Sequence, residues 1–177
     1  MPFALTNLLN YLLYLAGWCA LVFGAAAGRV WLGMAIALGL LMAHLFLARE
    51  RRAEWRLALL AGSIGFVVDS AQVAAGLLTF PSGVLVPWLC PPWIVVMWMQ
   101  FATTFRFSFR WVLASPGVAA LAGAVGGPLA YVAGERLGAV VLGEPRTLVL
   151  AVLAVVWAMV LPALGYAARG PAGVYRR

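Results

Sequence analysis

Four residues near the middle of the chain, Gln100, Thr103, Arg106 and Arg110, recur three or four apart within the segment PPWIVVMWMQFATTFRFSFR, residues 91–110. On a helix that spacing makes one stripe, and from Gln100 to Arg110 it would run about 15 Å. Guanidiniums match phosphate oxygens in a bidentate fork. Arg106 and Arg110 are therefore candidates to bind an anionic lipid headgroup, with Gln100 and Thr103 lining the space above it. The competing reading makes both arginines ordinary membrane anchors and bonds Gln100 and Thr103 to adjacent helices. Asp69 heads a second polar set. With Gln72 it shares a helical face with Gly62, Gly65 and Gly76. A carboxylate inside an apolar span faces the bundle interior or a polar cavity, so Asp69 is expected to meet a donor or a cation, with Arg136 as the candidate for an ion pair. Asn7 and Asn10 serve either in interhelical packing or as part of the same lining. Tyr131 completes the cavity-lining set.

Other chemistries lack their residues. The chain has one histidine, His44, with no second ligand at helical spacing, and two isolated cysteines, Cys19 and Cys90. Neither a metal site nor a disulfide framework is indicated. No HExxH, GxSxG, phosphate-binding or dinucleotide-binding motif occurs, so no catalytic residue and no cofactor is expected. No aromatic-basic surface outside the apolar segments suits DNA or RNA, and nucleic acid is not an expected partner.

The elements that must position these residues follow from composition. At 66% hydrophobic and 10% charged residues, the chain exceeds the roughly 45–50% apolar usage of soluble domains. An all-α integral membrane protein is expected, with six transmembrane helices at about 4–27, 31–48, 57–76, 85–105, 117–134 and 147–166 in a single domain over residues 1–177. A span needs roughly 20 apolar residues. RERRAEWR at 49–56 reads as a charged hairpin loop, and the fourth span is expected to continue as helix into Arg106–Trp111. Trp88, Trp93 and Trp98 read as interface and upper-core anchors. Gly126-Gly127-Pro128 predicts a kink or break in the fifth helix, since proline removes a ladder donor and clashes with the preceding turn.

All twelve basic residues are arginine, and the net charge is +7. Nine of them lie in 49–56, in 106–116 and from Arg169 to the end; Arg29, Arg136 and Arg146 lie on the opposite connections. With six spans the arginine-rich segments share one side, which the positive-inside rule makes cytoplasmic, together with both termini.

Several stretches together carry a resemblance: GWCALVFGAA at 17–26, VDS at 68–70, FPSG at 80–83, FATTFRFSFRWV at 101–112 and GAVGGPLAYVAGERLGAV at 123–140. Over nearly the whole length the chain resembles a family of small bacterial inner-membrane proteins of unknown function, DUF2878. Where that family often reads Asn-His-Ser after FATT, this chain has Arg106-Phe107-Ser108. The resemblance implies membrane-lipid or oxidative-stress physiology, beside lipid-modifying enzymes of the cyclopropane-fatty-acid-synthase type, and identifies no reaction. The expected function is a lipid-associated accessory or lipid-binding factor. Its partners would be a membrane phospholipid or acyl lipid, a lipid-modifying enzyme or a second copy of the chain. A small transporter, a membrane scaffold subunit and a lipid-modifying membrane enzyme remain as alternatives.

Overall fold

A computed structural model describes residues 3–169. Its helices are α1 (Phe3–Ala26), α2 (Val30–Leu47), α3 (Arg51–Ala74), α4 (Pro92–Ala102), α5 (Pro116–Arg136) and α6 (Arg146–Arg169). All but α4 are long and apolar enough to cross a membrane, which fits a multi-pass membrane protein. Arg176 and Arg177, counted with the arginine-rich side, lie outside the described residues.

The helices pack chiefly in consecutive pairs. The α1–α2 connection is as short as its sequence suggests. Gly28 turns the chain at φ +68°, in the left-handed region that costs glycine no Cβ clash. Between α3 and α4 the face carrying Gly62, Gly65, Asp69 and Gln72 is buried, as the glycine spacing predicts. A Cβ on Gly65 would lie 2.1 Å from the Trp98 ring. A two-residue antiparallel pairing joins β1 (Leu78–Thr79) to β2 (Val141–Leu142), with Leu78 opposite Leu142. Glu135 closes the same end, accepting from the Leu142 amide at 3.0 Å and from Arg146 at 2.6 Å.

Three expectations are corrected. The charged stretch 49–56 is mostly helix, because α3 begins at Arg51: arginine and alanine favour helix, and neither glycine nor proline interrupts them. Of the kink or break expected in the fifth helix, the break is absent: the helix is continuous through Gly126-Gly127-Pro128. Its small face seats α6, where Cβ atoms on Gly123 and Gly127 would fall 2.2 and 2.3 Å from Trp157, and neighbouring helices make proline tolerable within membranes.

The largest difference is the fourth element. In place of a helix over 85–105, residues 80–91 are non-helical and α4 has 11 residues, about 16 Å at 1.5 Å per residue. Proline at 87 and 91 explains the late start, and Pro92 suits the first helical turn. The early stop has a local cause. Thr103 Oγ1 donates to Gln100 O and Thr104 Oγ1 to Phe101 O, both at 2.7 Å, and such back-bonds compete with the helical ladder. Asn10 Nδ2 then donates to Thr103 O at 3.0 Å, occupying a carbonyl that a continuing helix would need. Tight turns follow, with Phe105, Phe107 and Arg110 amides donating to carbonyls three residues back, until a short 3-10 turn at Val112–Ala114 leads into α5.

Candidate functional site

Asp69 is fully buried and accepts from three sides. Trp98 Nε1 donates to its Oδ2 at 2.7 Å, while Tyr131 Oη and Gln72 Nε2 donate to its Oδ1, the latter at 3.4 Å. The expected pairing with Arg136 is not made. Arg136 ends α5, more than a helical turn beyond Tyr131, and is exposed. Three neutral donors replace the cation, and hydrogen bonds to a charged acceptor are the stronger kind. Trp98, expected as an anchor, is a core donor, and Trp93 is buried with its Nε1 donating to Ser82 O at 3.1 Å. Trp88 alone of the three is exposed.

Tyr131 and Trp98 also form part of the wall of a cavity of about 210 Å³ between α1, α4, α5 and α6. Tyr14 and Trp18 of α1 face the small residues Gly123, Gly126, Gly127 and Ala130 of α5 across it. Phe101 of α4 and Trp157 of α6 complete the aromatic lining. The rings brace one another: Trp98 and Trp157 stack at 4.5 Å, and Phe101 lies 5.9 Å from Trp157 and 5.7 Å from Tyr14. Trp157 Nε1 is buried toward Tyr131 but outside hydrogen-bond geometry. Gly126 and Ala130 are exposed on the lining, so the cavity opens past α5.

The remaining predicted site residues separate into two groups. Asn10, Gln100 and Thr103 come together on the α1 side of α4. Asn10 Oδ1 accepts from Ser108 Oγ at 2.8 Å while its Nδ2 holds Thr103 O, so one side chain clamps the turns after α4. Gln100 Nε2 reaches Leu13 O at 3.5 Å, and Gln100 Oε1 and Asn7 Oδ1 are buried without a donor among the described residues. None of these residues lines the cavity; Asn10 and Gln100 bond across the α1–α4 contact instead.

Arg106 leaves that group altogether. Because α4 ends at Ala102, Arg106 does not extend a helical stripe. It donates to Glu50 Oε2 and, at 3.2 Å, to Glu54 Oε1. Glu54 is buried, and its Oε2 lies 3.3 Å from His44 Nε2. The Arg106 guanidinium holds the exposed Glu50 carboxyl below its usual range by hydrogen bond and by charge. Arg110 is half-buried in the turns beyond. Sequence reasoning missed Glu54 as the hub because RERRAEWR reads as a solvated loop. Glu54 at helical spacing from the apolar Leu57, Ala58 and Ala61 was the available signal. Among the described residues no group of histidine, cysteine and carboxylate side chains converges to hold a metal.

An all-α bundle whose apolar helices enclose an aromatic cavity, with a buried carboxylate in its wall, defines the class: a multi-pass helical membrane protein. Within that class the chain belongs to the family described as protein of unknown function DUF2878, which matches residues 7–163. No curated protein and no solved structure matches it.

Proposed function

We propose that the chain crosses a bacterial inner membrane six times, with both ends cytoplasmic, and holds part of an apolar lipid chain in the cavity between α1, α4, α5 and α6. The cavity carries the reading. An engineered apolar cavity of about 150 Å³ binds benzene, whereas whole-ligand pockets run to roughly 300–1,000 Å³. A volume of about 210 Å³ therefore suits a segment of an acyl chain entering past α5.

The six crossings draw support from which groups meet. Asn10 with Ser108, Arg106 with Glu50, and Arg169 with the Leu113 carbonyl gather the start of α1, the α2–α3 connection and the end of α6 at one end. The β1–β2 pairing marks the other end. Residues 80–114 pass between the two. Non-helical backbone is tolerated at membrane depth where protein buries it, and Phe80, Cys90, Phe105 and Leu113 are buried. A transporter keeps Asp69 as its argument but loses the broken fifth helix.

Gly126→Leu tests the cavity, since a Cβ there meets no atom within 4 Å and the side chain fills the opening. Crosslinking to a photoactivatable fatty acid in native membranes should fall several-fold while the purified variant keeps its helicity. Undiminished crosslinking would overturn the acyl-chain reading. Alkaline phosphatase should be active when inserted at 81–83 and inactive when fused after Arg177; the reverse would overturn the orientation.

A further inference from the structure

At the Glu50 end a second, open concavity, of about 670 Å³, is lined by Arg49, Arg51, Arg52, Arg56, Arg106 and Arg169, with Glu50 as the carboxylate on its lining. Leu57 and Leu60 of α3 and Ala168 of α6 form its apolar floor. Arg106 is paired with Glu50 and Glu54, and Arg169 donates to Leu113 O. Arg49, Arg51, Arg52 and Arg56 make no ion pair among the described residues.

The positive-inside rule accounts for excess charge on this side. It does not account for charge converging on one hollow from three separate parts of the chain. Nor does it account for Arg51 and Arg52 occupying the first two positions of α3, where the helix N-terminus carries partial positive charge and disfavours cations. The Glu50 side chain does not cap that terminus, so its first amides are left for another acceptor. An anion in the hollow resolves both features at once. We propose that the hollow binds a phosphate group, and the apolar floor favours an anionic phospholipid whose chains descend along α3 and α6. Basic pockets between membrane helices suit such headgroups. The site differs from the one expected of Arg106 and Arg110: it omits Arg110 and adds the arginines of the α3 start. It stands independently of the acyl cavity, which shares none of its residues.

The test uses the full chain in nanodiscs containing equal phosphatidylglycerol and phosphatidylcholine, with lipids retained on detergent extraction counted by native mass spectrometry. The wild type should enrich phosphatidylglycerol, and Arg52→Gln with Arg56→Gln should reduce that enrichment about tenfold, a few-fold for each charge. Arg52→Lys with Arg56→Lys keeps the charge and topology but loses the forked donor geometry, so an intermediate enrichment with unchanged helicity is expected. Arg29→Gln at the opposite end and Gly126→Leu in the cavity should leave enrichment unchanged. Equal enrichment in the wild type and the glutamine variant, or an equal loss in Arg29→Gln, would overturn the proposal. In discs of phosphatidylcholine alone, a rise in melting temperature with inorganic phosphate that the glutamine variant lacks would retain the phosphate site and assign it to a soluble ligand.

Discussion

Replacing Asp69 exposes how the bundle tolerates a carboxylate held by three neutral donors. In Asp69→Asn one carboxylate oxygen becomes an NH2 group facing a donor. Trp98 Nε1–H can only donate, so the amide oxygen must stay with Trp98, whose bond is 2.7 Å long. The NH2 then faces Tyr131, whose hydroxyl can rotate to accept, and Gln72 loses its acceptor at 3.4 Å. The substitution weakens charge-assisted bonds without orphaning an indole, and about 1 kcal/mol is expected. Asp69→Leu is different. It leaves Trp98 N–H and Tyr131 O–H buried without acceptors, at about 1–3 kcal/mol each. Membrane hydrogen bonds measure toward the low end of such ranges, so about 2–4 kcal/mol is expected.

The diagnostic comparison is the triple variant Asp69→Leu, Trp98→Phe, Tyr131→Phe. Removing the two donors that would be orphaned along with the carboxylate is far cheaper than removing the carboxylate alone, and Gln72 Nε2 keeps Val68 O as an acceptor, so the triple variant should recover most of the loss. Thermal unfolding in one detergent, read by fluorescence-detected gel filtration, orders the four proteins: wild type, asparagine variant, triple variant, leucine variant. At about 2–4 °C per kcal/mol for a chain of this length, the leucine variant should lie roughly 4–16 °C below the wild type. A leucine variant as stable as the wild type would refute the reasoning, as would a triple variant no better than the single.

Adjacent glycines should behave oppositely: Gly127→Ala drives a Cβ into the Trp157 ring and should cost about 1–3 kcal/mol, whereas Gly126→Ala meets no atom within 4 Å and should melt with the wild type. Asn10→Ala releases Thr103 O and Ser108 Oγ, so amide exchange across 103–111 should accelerate about tenfold while α5 and α6 are unchanged. Glu50 has a folded-state pKa depressed by Arg106; its contribution is present above the usual carboxylate range and is lost as pH falls through the depressed value. Melting curves from pH 6 to pH 3 should therefore show a smaller acid-induced loss in Glu50→Gln than in the wild type, and parallel curves would contradict the pairing.

Helices whose length is set by hydropathy alone are legible in the sequence. The bounds expected for α1, α2, α5 and α6 match to within a few residues, because uniform apolar runs between glycine and arginine punctuation leave little choice. The buried Asp69 face was legible for the same kind of reason: Gly62 and Gly65 on its side announce a close neighbour. The identity of that neighbour was not, since nothing local to 60–72 encodes Trp98 or Tyr131. What failed was the assumption that periodicity persists. Gln100, Thr103, Arg106 and Arg110 keep a helical spacing across a segment that stops being helical at Ala102. Two causes combine: Thr103 and Thr104 side chains that compete with the ladder, and one tertiary hydrogen bond to Thr103 O from Asn10, 93 residues away. Pro128 misled in the opposite sense as far as a break was expected, because the packing of Gly123 and Gly127 on α6 keeps the helix continuous through a residue that would break an isolated one.

The interruption of α4 has a consequence for charge. Trp98 and Met99 direct that helix toward α3, while Gln100 and Thr103 look toward α1. On an unbroken helix Arg106 would follow Thr103 by three residues and lie near the α1 side, away from Glu54. Glu54 is buried on α3 with His44 as its other charged or ionisable neighbour. A carboxylate stripped of its strong cation in such a position costs about 3–5 kcal/mol. The turns after Ala102 swing Arg106 across to α3, where it bridges Glu54 and Glu50. The same turns set Phe109 in the cavity wall and bring Ser108 back onto Asn10. The energy lost by ending the helix early is thus offset at the arginine, and the segment that read as one continuous polar stripe is a joint: one polar group secures it to α1, one cation secures it to α3, and its aromatic side closes the cavity.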